Sequence, residues 1–319
     1  MPASADKRHH LPGTRIEVIN DDFVRARVRS VLLDFDGTLS LIRAGWQDVM
    51  VPMMVDVLAE LGTGLCAEVA DAPSASAEAA SALSRRRKLL WRRRGRYGPQ
   101  AGESRQELEA VVREYVFRLT GRQTIYQMIQ LAEEVKKRGG RPREPLEYKH
   151  QYLDLLWEHI KHRVEGLKAG ALQPREMLLP GSLELLEELH SHGLKLYLAS
   201  GTDLPYVQDE AEALGIAKYF AGRIYGAVDD YQTYSKRMVI ERIIKDHDLS
   251  GPEFLAFGDG YVEIEDAEAV GGIAVGVASD ELHPGQLNEW KRQRLMGAGA
   301  DLIVPDFHEH EVLVQYLLG

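Results

Sequence analysis

The ten residues Val31–Ser40 read VLLDFDGTLS, and their reading decides the fold. Val31, Leu32 and Leu33 form a short, branched apolar run that gives way to Gly37, the pattern of a buried parallel strand ending in a loop. Side chains alternate along an extended backbone, so Asp34 and Asp36 leave it in one direction while Phe35 turns back toward the core. Two carboxylates then face one reacting centre at the carboxyl end of a strand, where open α/β sheets bind their ligands. Like charges so close resist joint ionisation, which calls for a bound cation, one raised pKa, or both. The spacing suits a carboxylate nucleophile beside a proton donor.

DxDGT behind an apolar strand resembles the first motif of the haloacid dehalogenase (HAD) superfamily, and three further motifs of that family follow in family order. The second, a strand ending in Ser or Thr, matches Leu194 to Thr202 (LKLYLASGT). The match implies that Ser200 holds a phosphoryl oxygen, helped by backbone N–H groups nearby at Gly201 and Thr202. The third, a basic residue, falls on Lys236 in YSKRMVIERI, with Arg237 beside it as the alternative. The fourth, an acidic loop after a strand, falls on FLAFGDGYVEIED, with Asp259 and then Glu263 four positions on. The family usually has a second Asp where this chain has Glu263, and the longer side chain would reach Mg²⁺ through water. The resemblance covers residues 29–40 and about 178–305.

The chemistry can also be rebuilt from residue types. A phosphate ester repels a carboxylate nucleophile, so attack by Asp34 needs a divalent cation and positive or N–H donors around the phosphoryl group. Asp34, the backbone carbonyl of Asp36 and Asp259, with Glu263 as the fourth candidate, make an oxygen-rich, sulfur-free set of the kind that selects Mg²⁺. Lys236 would neutralise the nucleophile and the phosphoryl oxygens, while Ser200, Thr38 and local amides supply hydrogen bonds. Asp36 would protonate the leaving oxygen and then deprotonate the water that hydrolyses the aspartyl phosphate on Asp34. The expected activity is that of a Mg²⁺-dependent phosphatase for a small phosphorylated metabolite, a sugar phosphate or a phosphoglycolate-like acid. A phosphomutase, with a sugar hydroxyl as acceptor, would use the same residues. Dehalogenase chemistry is disfavoured, since a halide leaving group does not require the proton that Asp36 is placed to give.

Periodicity divides the chain. Residues 1–14 read as a disordered tip, 15–42 and 178–319 as an α/β core, and 43–177 as a helical insert. From residue 182 onward helices and strands alternate, which argues for a Rossmann-like doubly wound parallel sheet. Right-handed crossovers would gather Asp34, Ser200, Lys236 and Asp259 at one edge of it. An all-helical insert after the first motif resembles the cap of phosphoglycolate-phosphatase-like and β-phosphoglucomutase-like HAD proteins. Such caps supply specificity, so Arg43 and Gln123 become candidates for leaving-group contact, beside Thr38, Gly201 and Thr202 for the phosphate itself.

Composition bounds the partners. With 319 residues, 45% hydrophobic and 28% charged, the chain suits a globular core plus a second domain. The single cysteine, Cys66, leaves no internal disulfide and fits a reducing compartment. No apolar run approaches membrane-spanning or signal-peptide length, so the expectation is a cytoplasmic protein. A net charge of -10 argues against general nucleic-acid binding. One segment dissents: Arg85 to Arg96, RRRKLLWRRRGR, reads either as a solvated helix with Leu89, Leu90 and Trp91 packed inward or as an anion-attracting cap surface, a nucleic-acid contact or a partner site. The latter sustains a third reading, a non-catalytic binding module.

Overall fold

The computed structural model describes residues 9–23, 25, 28–61 and 103–319. The basic block 85–96, the Ala/Ser-rich stretch before it and Cys66 lie outside the described residues. Two compact units divide the chain. One comprises residues 1–46, 119–126 and 153–319; the other comprises 47–118 and 127–152.

The first unit is built on a sheet whose seven strands, among the described residues, are β1 (Glu17–Val18), β2 (Ser30–Leu33), β3 (Lys195–Asp203), β4 (Ile224–Ala227), β5 (Phe254–Gly258), β6 (Ile273–Val277) and β7 (Leu302–Val304). Their order is β1-β7-β6-β5-β2-β3-β4. All pairs are parallel except β1 with β7. The expected α/β class with a parallel, helix-flanked sheet is what the chain adopts. β2 is central, and Val31, Leu32 and Leu33 have no exposed surface. Burying each such side chain is worth about 1.5–3 kcal/mol, which is why a run of only three apolar residues suffices to fix the middle strand.

The second unit is helical in its described residues, which belong to the helices Gln47–Glu60, Arg105–Leu119, Thr124–Lys137 and Pro145–Lys168 and their connections. Leu108, Val112, Tyr115 and Val116 recur at helical spacing and are all buried. Tyr115 Oη donates to Met54 Sδ at 3.2 Å, and Arg138 joins Glu103 to Glu134 at 2.6 Å each. Leu119–Tyr126 and residues 153–177, inside the insert expected over 43–177, fall in the first unit.

Over residues 9–14 the chain is not a loose end: Leu11 is buried, its N–H reaches Ile16 O at 3.0 Å, and Val18 N–H reaches His9 O at 2.7 Å. An apolar side chain beside a two-residue strand gives the segment something to bury, which its polar composition concealed. Among the described residues no helix is long and apolar enough to cross a membrane.

Candidate active site

Register brings the strand ends level. Leu33 of β2 lies opposite Leu198 of β3 and Phe257 of β5. Asp34, Ser200 and Asp259, one or two residues further on, therefore leave the sheet at one edge. The Asp34 N–H extends the ladder to Phe257 O at 2.9 Å.

Lys236 meets Asp34 from the start of a helix. Ser235 caps Lys236–His247, its hydroxyl accepting from Met238 N–H at 3.2 Å. Lys236 is buried with Nζ 2.6 Å from Asp34 Oδ1, and it also donates to Glu263 Oε1. Glu263 has no exposed surface. It sits in the first turn of the helix Tyr261–Ala269 and folds back over Gly258 and Gly260, where a Cβ at Gly260 would stand 2.8 Å from Glu263 Oε2. The two glycines of FGDG make the room that lets Glu263 turn to Lys236, a different placement from the approach to Mg²⁺ expected of it. Burial pushes the Asp34 carboxyl up, to about 7, with Lys236 opposing the rise and the carboxylates of Asp259 and Asp36 adding to it.

Asp36 is held on both sides. Ser200 and Thr202 donate their hydroxyls to Asp36 Oδ2 at 3.1 and 2.9 Å. β3 stays extended through Asp203, so residues 200 and 202 point the same way. Ser200, expected to grip a phosphoryl oxygen, here turns its hydroxyl to Asp36. Asp36 Oδ1 accepts no hydrogen bond but lies 3.7 Å from Arg43 Nε. Arg43 is itself clamped by Glu210, at 2.6 and 3.2 Å. Both side chains are buried.

Asp259 is tied to the first motif and to a second lysine. Its N–H donates to Thr38 Oγ1 at 3.0 Å. Lys291 Nζ lies 2.7 Å from Asp259 Oδ2, 2.8 Å from Glu281 Oε1 and 3.3 Å from Ser279 Oγ. Ser279 in turn donates to Gly37 O at 2.6 Å. Gly37 has φ +75°, the left-handed region that favours glycine, and a Cβ there would collide with Asp259 Oδ2.

The turn Leu119–Tyr126 contributes Gln123, whose Nε2 donates to Tyr234 O at 2.6 Å and Tyr231 O at 3.3 Å while its buried Oε1 accepts nothing. Tyr234 Oη donates to Ser200 O at 2.9 Å. A Cβ at Gly201 would come within 2.9 Å of Arg122 O, so the turn passes close over the end of β3.

Among the described residues no group of three or more His, Cys, Asp or Glu side chains is arranged to hold a metal. Asp34 Oδ1 and Asp259 Oδ2 each accept from a lysine ammonium. Mg²⁺ asks for less, being held as a rule by one or two carboxylates with water and substrate phosphate. Burial is the main cause of the raised Asp34 pKa, and the carboxylates of Asp259 and Asp36 add to it; that added negative charge is what such a cation would relieve, so the residues fit it.

Sequence reasoning missed Lys291, Glu281, Glu210 and Tyr234. One signal was available for Lys291. Asn288 caps the helix Glu289–Gly297, accepting from Lys291 N–H at 3.0 Å, so Lys291 stands in the first turn as Lys236 does. A cation there opposes the helix dipole and needs a carboxylate to hold it.

Solved structures of similar fold include a predicted phosphoglycolate phosphatase from Haemophilus somnus (16% identity, 91% of this chain and 99% of that one, TM-score 0.53). Others are a predicted phosphatase from Clostridium acetobutylicum (16%, 91% and 100%, TM-score 0.50) and β-phosphoglucomutase from Clostridium difficile (12%, 91% and 97%, TM-score 0.50). At these identities the likeness is one of fold. No curated protein sequence matches the chain. A family model described as haloacid dehalogenase-like hydrolase matches residues 28–271, more than half of the chain and all four motifs. The chain belongs to the haloacid dehalogenase-like hydrolases.

Proposed function

We propose that this hydrolase is a Mg²⁺-dependent phosphatase that cleaves a small phosphorylated metabolite through an aspartyl phosphate on Asp34. The observation that carries the reading is the pairing of a buried Asp34 with Lys236 at 2.6 Å, beside an Asp36 held by two hydroxyls. One carboxylate is poised by a cation and its neighbour is oriented to move a proton.

Asp34 attacks phosphorus while Asp36 gives its proton to the bridging oxygen, and the P–O bond breaks to release an alcohol. Asp36, now a carboxylate, takes a proton from water as that water attacks the aspartyl phosphate. Inorganic phosphate leaves and both aspartates are restored. Lys236 offsets the charge between Asp34 and the phosphoryl oxygens, and the N–H of Gly201 with the hydroxyl of Thr38 bind those oxygens. Ser200 and Thr202 keep Asp36 in one orientation, and Arg43, balanced by Glu210, fixes its other side. Asp34, the Asp36 carbonyl and Asp259 would hold Mg²⁺, which supplies charge neutralisation of the phosphoryl group. Gln123 offers its Oε1 to a hydroxyl of the leaving group.

The test is phosphate release from a panel of sugar phosphates and phosphorylated hydroxy acids, with Mg²⁺ and with EDTA, for the wild type and Asp34→Asn. The expected outcome is Mg²⁺-dependent release that falls by about 10⁴-fold or more in the variant, as removal of a nucleophile does elsewhere. Release that survives the substitution would overturn the reading, and phosphate retained on a sugar would mark a mutase.

A further inference from the structure

Lys291 is a charged partner of Asp259 that the phosphoryl-transfer scheme does not use. It is buried, and the bonds from its ammonium to Asp259, Glu281 and Ser279 engage the same turn that carries the nucleophile, through Ser279 and Gly37 O. Glu281 reaches this point too, since a Cβ at Gly37 would stand 3.0 Å from Glu281 Oε1. We propose that Lys291 and Glu281 form a built-in charge pair that sets the affinity of Asp259 for the divalent cation, Lys291 weakening it and Glu281 restoring it. The inference rests on the cation-dependent reading above.

The argument is electrostatic. An ammonium in contact with one oxygen of a ligand carboxylate repels a second cation at that carboxylate, and burial keeps water from screening the repulsion. Glu281 cancels that charge at a distance of one hydrogen bond. Removing the lysine alone leaves two carboxylates where there was one net negative charge. Removing the glutamate alone leaves the lysine uncompensated. A pair that merely braced the loop would behave otherwise, both single changes loosening Asp259 and weakening the cation.

Mg²⁺ titration calorimetry on the full chain, without substrate, separates these. Lys291→Met is expected to bind Mg²⁺ about tenfold more tightly, Glu281→Gln about tenfold more weakly, and the double variant close to the wild type. Far-UV circular dichroism checks folding. Should Lys291→Met fail to fold, the weakening in Glu281→Gln and its recovery in the double variant still carry the test. Both single variants binding more weakly, or neither differing from a wild type that does bind, would overturn the inference alone. A wild type with no Mg²⁺ isotherm would overturn it together with the cation-dependent reading.

Discussion

Two ion triads of the same composition stand at the edge of one sheet. Asp34, Lys236 and Glu263 form the first, and Asp259, Lys291 and Glu281 the second. In each, a lysine from the first turn of a capped helix joins an aspartate at a strand end to a glutamate. They differ in the depth of the glutamate. The Glu263 side chain is 0% exposed and that of Glu281 is 12% exposed. A lysine's task is therefore set by which aspartate it holds. Lys236 serves the proposed nucleophile, itself a proposed cation ligand, whereas Lys291 serves a carboxylate proposed only to hold the cation.

The largest expected effect breaks this comparison if it fails. Lys236→Met should lower the rate of phosphate release at saturating Mg²⁺ by about 10²–10³-fold, the usual loss when one charge-stabilising group is removed from a reaction centre. Lys291→Met should cost far less turnover and should instead move the Mg²⁺ concentration for half-maximal rate downward. Steady-state rates over a Mg²⁺ series measure both. Equal losses in kcat would mean that the two triads do one job.

Stability should separate the glutamates next. Glu263→Gln leaves Lys236 with a single carboxylate in a buried site, and urea unfolding in EDTA is expected to show a loss on the order of 2–3 kcal/mol. Glu281 is nearer the solvent, so Glu281→Gln should cost about 1 kcal/mol or less. The reverse order would place the more tightly held ion pair on the Asp259 side.

Much of the first triad was legible in the sequence. A short apolar run followed by Asp-x-Asp, and a second run followed by Gly-Asp-Gly, announce strand ends, and the pairing of Leu33 with Phe257 shows why those ends coincide. The parallel sheet was legible for the same reason, since helix and strand alternate after residue 182 with little to confuse the period. Other features were not. Glu281 and Glu210 lie in a loop and on a helix face, where an acid usually meets solvent, and only their partners 10 and 167 residues away reveal them. The role of Ser200 depended on β3 staying extended past its apolar stretch, which LASGTD does not advertise. The turn at 119–126 joins two helical patterns, and nothing local says that it belongs with the sheet.

The smallest expected effect sharpens the first triad by asking what else feels Lys236. Burial pushes the Asp266 carboxyl up, to about 6; Arg237 opposes the rise, Glu265 and Glu241 add to it, and Lys236 again opposes it. Its Oδ2 is buried without a hydrogen bond. Against an ordinary value of 3.8, the folded state keeps a proton that the unfolded chain releases. The penalty is absent below about pH 4, grows as the pH rises, and is complete above about pH 6. Asp266→Asn should leave the Tm unchanged near pH 4 and raise it by about 1–2 °C at pH 7, a modest gain because the group is only half-buried. Calorimetric melts at the two pH values measure it. A gain of the same size at pH 4 would trace the effect to packing, and a change in Mg²⁺ affinity would draw Asp266 into the site, ending the picture of Lys236 as a cation shared by two carboxylates alone.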